Sequence, residues 1–319
     1  MISLLLACAG GGAPRPDSAP ADTSADTAIP EPEGDPVTIP LAGACPLATR
    51  FGGFTVEANP DYSAIDGKVL DAVVPVTVLT EVATDGECRL LRKENPYCEP
   101  ACAADETCDL TETCIPYPTA VDLGSVTIAG LVENVRLTPA IPGYTYFNTD
   151  LPNPAYLPGE LIELRTAGGA FSPVRLHGVG VEPLTMVETE WTLTRDAPFS
   201  VHWNAPAGSV RSMVHLGLSV DQHGVTPGSL ACDFVDDGDG EISAELVNTM
   251  LNAGVTGYPN GRLSRQTVDS VAVGTGCMDL SVTYPLLPDR VNVTGHTPCK
   301  QLNDCPPGHP CDLETETCQ

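Results

Sequence analysis

A chain of 319 residues can bury the core of one large or two ordinary domains, and its 42% apolar content points to a folded body. The formal net charge of -27, from 42 acidic against 15 basic residues, excludes nucleic acid as a partner, because that affinity comes from Lys and Arg neutralising phosphates. The same excess argues against adsorption to anionic lipid and is read as solubility.

The chain opens "MISLLLACAGGG", an apolar run ending in Leu-Leu-Ala-Cys followed by small residues. This resembles the lipobox of bacterial lipoproteins, which implies a lipoprotein signal peptide over residues 1–8 whose cysteine, Cys8, is lipidated and becomes the mature N-terminus. The run is shorter than the usual signal core and lacks a basic start, which leaves an upstream start or a chance match as alternatives. Setting Cys8 aside leaves twelve of the thirteen cysteines, an even number that suits disulfides in an oxidising compartment. No CxxC pair is present, so structural zinc is disfavoured. The expected location is therefore the bacterial outer membrane or cell surface, with the membrane contacted through lipid alone.

Residues 9–38 are rich in Pro, Ala, Asp, Ser and Thr. They have little to bury, and the expectation is a disordered tether. From 39 to 97 the sequence is β-rich, with "KVLDAVVPVTVLTEV" as its longest β-branched run. Residues 98–118 form a Cys-rich module, and 119–196 a further β segment with "DLGSVTIAGL", "ELIELRTAG" and "MVETEWTLTR". Short β-branched runs bounded by Gly, Pro, Asn or Asp leave no room for long helices. Residues 197–296 read as a β-sandwich-like domain with one short helix, and 297–319 as a second Cys-rich module. The fold class is mostly β: one or two β-sandwich-like domains, two small disulfide-rich knobs and one short helix.

Within 197–296 a hairpin is expected around Gly208-Ser209 as a type II′ turn. It puts Trp203 opposite Val214, Val201 opposite Leu216 and Phe199 opposite Leu218. His202 and His215 then oppose each other on the outer face, about 5 Å apart at Cβ, a weak candidate metal pair with no third ligand. The stretch "DDGDGEISAEL" (236–246) resembles the middle of an EF-hand loop. With Gly240 sixth, Asp237 and Asp239 fall at the third and fifth ligand positions, but Val235 and Leu246 stand where both end ligands belong. Asp237 and Asp239 are thus candidate calcium ligands, weighed against a simple turn. Beyond it Ser243 can cap a helix with Leu246, Val247, Met250 and Leu251 as its apolar stripe, ended by Gly254.

"CAADETCDLTETC" (102–114) repeats as "CPPGHPCDLETETC" (305–318) with one inserted residue. Each copy has one more cysteine upstream, giving the sets Cys98, Cys102, Cys108, Cys114 and Cys299, Cys305, Cys311, Cys318. Four cysteines allow three pairings, and these stay open. For the remaining four, Cys45 with Cys88 and Cys232 with Cys277 are the economical pairs. The knobs resemble small Cys-rich modules of the form CxxDxDCPxGxxCDxxxxxC in secreted proteins of myxobacteria and relatives. "DQHGVTPGSLACDFVDDGDGEISAELV" and "GHTPCKQLNDCPPGHPCDLETETC" likewise resemble uncharacterised lipoproteins of that group. The resemblance implies location and architecture and no activity.

Catalytic patterns are weak. Ser219, Asp221 and His223 in "SVDQH" would share a strand face with neighbours about 6.6 Å apart, beyond hydrogen-bond contact for a triad. Tyr144, Tyr146, Phe147 and Tyr156 cluster in a proline-rich loop and could stack a sugar, or could anchor the loop. The leading expectation is a structural or adhesion-like interaction protein with an unknown protein or glycan partner, no cofactor and no catalysis. One alternative is a sugar- or peptide-binding module, calcium-assisted or not; another is a secreted hydrolase with dispersed carboxylates.

Overall fold

The computed structural model describes residues 28–208, 211–220 and 228–319. Cys8 and most of the expected tether lie outside these residues, as do Ser209, Asp221 and His223. Among the described residues the body opens with strands β1 (Arg50–Ala58), β2 (Ser63–Val69), β3 (Leu79–Asp85) and β4 (Cys88–Lys93). The first knob holds β5 (Glu106–Cys108) and β6 (Cys114–Pro116). Next come β7 (Val126–Ala129), β8 (Val135–Leu137), β9 (Tyr146–Asn148), β10 (Leu161–Thr166) and β11 (Arg175–Val179). They are followed by β12 (Glu190–Leu193), β13 (Phe199–His202), β14 (Met213–Ser219), β15 (Gly228–Val235) and β16 (Asp239–Ile242). Helix α1 (Ala244–Ala253) leads into β17 (Asn260–Val273), β18 (Gly276–Leu286) and β19 (Arg290–Val293), and the second knob holds β20 (Cys311–Asp312) and β21 (Thr317–Cys318).

One nine-stranded sheet, in the order β3-β4-β15-β14-β17-β18-β1-β2-β9, forms the frame. Its neighbours are antiparallel except β1 and β18, which run parallel and join the start of the body to its end. A four-stranded sheet, β11-β10-β7-β8, is the second large element. Two buried clusters form. One gathers Trp191, Phe199, Trp203, Val214, Leu216, Phe234 and the α1 stripe; the other gathers Phe54, Ile65, Ile128, Ile162, Leu164, Leu176 and Leu280. The 14-residue β17 contributes Leu263 to the first and Val273 to the second. The fold is thus mostly β with one short helix, as the strand patterning implies, and an unbroken sheet serves both cores.

The expected hairpin does not form. Phe199, Val201, Trp203, Val214, Leu216 and Leu218 are all buried, so the inward faces agree with the alternation. The partners differ: β13 pairs with β16, Phe199 opposite Ile242, while β14 is flanked by β15 and β17. A period of two fixes which face a side chain takes, but not which strand lies alongside.

The economical disulfides are also replaced. Cys45 bonds Cys277 and Cys88 bonds Cys232. Both follow from strand order: β4 lies beside β15 with Cys88 directly opposite Cys232, and β1 starts beside β18 with Arg50 opposite Cys277. Sheet neighbours 144 and 232 positions apart win over the shortest loops.

A long-range polar arrangement ties the four-stranded sheet to the large one. On the side of β10 and β11 away from Ile162, Leu164 and Leu176, register sets Glu163 opposite His177 and Arg165 opposite Arg175. The His177 ring stands between two carboxylates, Nε2 3.6 Å from Glu163 and Nδ1 3.9 Å from Asp269 of β17. Burial holds this imidazole below its usual pKa, against Asp269, which raises it, and with Arg175 and Arg165 adding to the lowering. A histidine with a depressed folded pKa stabilises the fold above the unfolded value near 6.5 and less as pH falls below it, because the unfolded chain takes the proton first. Melting temperature should therefore fall between pH 7.5 and 5.5. In His177→Gln that slope should flatten; an unchanged slope would assign the pH dependence elsewhere.

Candidate functional site

The stretch 236–246 is a link between two strands and a helix. β15 ends at Val235, Gly238 turns the chain with φ +112, and Asp239 starts β16 opposite His202. Ser243 then caps α1, its Oγ accepting from the Leu246 N–H at 3.3 Å. Leu246, Val247, Met250 and Leu251 are buried, and Gly254 ends the helix with φ +126. These are the cap, stripe and stop legible in the sequence, with a short strand inserted before the helix.

The acids of this link divide by environment. Asp236 points inward, its side chain 3% exposed, against the fully buried Arg265 of β17. Arg265 Nε donates to Oδ2 at 2.7 Å and Nη2 to Oδ1 at 3.0 Å. The Trp203 indole N–H donates to Oδ1 at 2.9 Å, and the Ser212 hydroxyl donates to Oδ2. The other guanidinium hydrogens go to main-chain oxygens of Pro183 at 2.8 Å, Glu182 at 3.3 Å and Asn204. Every donor is answered, which a buried charge pair requires.

Asp237 and Asp239 point outward. Together with Glu241, Asp85 and Glu87 they line an open groove of about 430 Å³ between the β15–β16 link and the β3–β4 turn. Asp237 Oδ1 is 3.5 Å from the Asp239 N–H within the turn itself. The groove is anionic and also lined by Phe234 and Ser243.

The two histidines are not brought together. His202 Nδ1 lies 3.1 Å from both oxygens of Glu188. His215 Nδ1 lies 2.7 Å from Asp233 on β15, and that hydrogen bond, with Arg89 adding to it, holds Asp233 below the usual carboxylate range. They sit on different sheets because β13 and β14 are not partners. The aromatic cluster also separates. Tyr146 is fully buried, its hydroxyl donating to the Gly124 carbonyl at 3.0 Å and accepting from the Leu123 N–H at 2.9 Å. Tyr156 is buried with its hydroxyl on the Thr283 carbonyl at 2.8 Å, and burial pushes its pKa up. Phe147 alone of the four is prominently exposed, while Tyr144 is half-buried with a left-handed φ of 45. Loop anchoring, rather than a stacking platform, describes Tyr146 and Tyr156.

The knobs share one connectivity: Cys98–Cys108 and Cys102–Cys114 in the first, Cys299–Cys311 and Cys305–Cys318 in the second. In each, first pairs with third and second with fourth. Asp109 accepts the N–H groups of Thr111 and Thr113 at 2.8 and 2.9 Å. Asp312 likewise accepts from Glu314 and Thr315 at 2.9 and 3.4 Å. These bonds hold both carboxyls below the usual range. Glu112 and Glu316 occupy equivalent left-handed positions, φ 60 and 48, a conformation costing a non-glycine residue about 1 kcal/mol. Leu110 and Leu313 both face solvent. The second knob rests on the body where the Thr317 hydroxyl accepts the Gly257 N–H at 3.0 Å and Lys300 lies 4.9 Å over the Tyr258 ring.

Sequence reasoning missed the Asp236–Arg265 pair and the charged face of β10 and β11. A signal existed for the second: Glu163 and Arg165 alternate in "ELIELRT" as Arg175 and His177 do in "VRLHGV", each with apolar residues between. Comparison with known proteins adds little. No family model matches the chain, and no curated protein matches it. Among solved structures, a tri-modular GH5 (subfamily 4) endo-beta-1,4-glucanase from Bacillus licheniformis is similar at 11% identity. That match spans 52% of this chain and 34% of the glucanase chain, with a TM-score of 0.18, too low to carry an argument.

Proposed function

We propose that this is an exported, lipid-anchored interaction protein that displays two equivalent disulfide knobs from a β scaffold, with an adhesion-like role. One observation carries the reading. The two knobs differ in sequence and by an inserted residue, yet both keep an outward leucine and a glutamate in a left-handed turn. Two disulfides and an aspartate cap hold each knob, and its leucine stays exposed to solvent, so the duplication of that leucine supports use as a contact surface. Six disulfides support export into an oxidising compartment. The Cys8 motif supplies the anchor and the resemblance of the Cys-rich modules the surface setting.

Two experiments test the parts separately. Cys8→Ala should move the protein from the membrane pellet to a soluble fraction; retention in the pellet sinks the anchor. The double variant Leu110→Asp, Leu313→Asp should melt within a few degrees of the parent yet lose cell–cell aggregation in cells that express it at the surface. Equal aggregation by parent and variant would remove the knobs from the contact.

A further inference from the structure

Residues 30–42 lie within or directly after the segment expected to be a free tether, but they rest on the body. Pro32 packs over Gly130, where a Cβ would come within 3.0 Å of its ring, and Ile39 packs against Gly34. The N–H of Glu33 donates to Glu163 Oε2 at 3.2 Å, the N–H of Ala42 donates to Asp269 Oδ1 at 2.8 Å, and Arg211 donates to the Ile39 carbonyl. The Glu33 carboxylate reaches back over the sheet, 3.1 Å from Arg175 Nη1 and 3.9 Å from Arg165 Nη2.

The surface beneath is built for a carboxylate. Arg165 and Arg175 face each other directly across the ladder, and like charges so placed are destabilising unless an anion lies between them. Glu163, fully buried, pairs with both through Oε1. The remaining guanidinium edge turns toward the segment 30–42. Glu33 satisfies that edge only in part. It stays 69% exposed, and Arg165 Nη2, although buried, has no hydrogen-bond partner at all; nor has His177 Nε2. The recognition pattern is explicit: a main-chain N–H for Glu163, the acidic side chain of that same residue for the arginine pair, and a second main-chain N–H for Asp269.

We propose that the charged face of β10 and β11 is a binding site for an extended acidic peptide segment, with Glu33 as its built-in occupant. An incoming segment whose carboxylate sits closer to Arg165 satisfies the donor that Glu33 leaves unanswered. Because the occupant is tethered, it competes at an effective concentration in the millimolar range, so exchange requires a ligand at comparable concentration or with better geometry.

The test uses the full chain and a capped peptide spanning residues 30–38, PEPEGDPVT, as probe. The Ala42 amide resonance reports whether residues 30–42 are seated, and the Arg165 and Arg175 side-chain resonances report whether a carboxylate occupies the site. In Glu33→Ala the Ala42 resonance should move toward its random-coil position. Millimolar peptide should then shift the arginine resonances, while the same peptide with Gln at the Glu33 position should not. Arg175→Met should abolish the peptide response. An unmoved Ala42 resonance in Glu33→Ala, or equal responses to the Glu and Gln peptides, would overturn the proposal. A loosened segment with no peptide response would also overturn it, leaving a structural contact.

Discussion

Asp236→Ala should lower the free energy of unfolding by about 3–5 kcal/mol, the range for removing one member of a buried ion pair. The substitution leaves the Arg265 guanidinium at 0% exposure without its counter-charge and strips partners from the Trp203 indole and the Ser212 hydroxyl. Water cannot reach these groups without opening the core that Trp203, Phe234 and α1 share. Asp237→Asn and Asp239→Asn, one and three positions along, should stay within about 0.5 kcal/mol, as surface changes do. Urea unfolding of the three variants measures the contrast directly. Equal losses at all three positions would mean that the acids act together, and no loss in Asp236→Ala would mean that the pair is not desolvated in solution. Replacing both partners, Asp236→Leu with Arg265→Met, should recover only part of the loss: the unpaired charge is gone, but the Trp203 indole, the Ser212 hydroxyl and the main-chain oxygens of Pro183, Glu182 and Asn204 lose their partners.

This contrast shows what the letters "DDGDGEISAEL" could and could not convey. The helix was legible because its signals are local: a Ser cap, an i, i+3, i+4 stripe and a Gly stop all act within one or two turns. The strand faces around Phe199 and Leu216 were legible because alternation is local as well. Which of two adjacent aspartates turns inward was not, since the answer depends on Arg265, which lies 29 positions away on β17. The same limit explains the lost hairpin and the wrong disulfides: β13 finds β16, and Cys45 finds Cys277 across 232 positions. Composition also misled at one point. Residues 30–42 have too few apolar side chains to fold alone, and they are seated by two amide donors and one carboxylate that meet charges on distant strands.

Removing the disulfides should separate the body from the knobs. Cys88–Cys232 closes a loop of 144 positions, and the loop-entropy relation gives about 5 kcal/mol for cross-linking a segment of that length. Both cysteines are buried in the first core, opposite each other on β4 and β15, so Cys88→Ala with Cys232→Ala also leaves space among Leu90, Leu230 and Phe234. The main unfolding transition should drop accordingly, by an amount comparable to the whole stability of a marginal domain. In the knobs the arithmetic differs. Cys102–Cys114 closes only 12 positions, for which the same relation gives about 3 kcal/mol, and the first knob has no hydrophobic core on which to fall back. Cys102→Ala with Cys114→Ala should therefore disorder residues around β5 and β6 while the main transition stays within a few degrees of the parent, because the sheet frame does not pass through them. Calorimetry on the two double variants, with proteolysis as the local probe, distinguishes the cases. If the knob variant melted with the body, the knob would be an integral part of the core. Its outward leucine and strained glutamate would then have a folding explanation, and the contact reading would lose the observation that carries it.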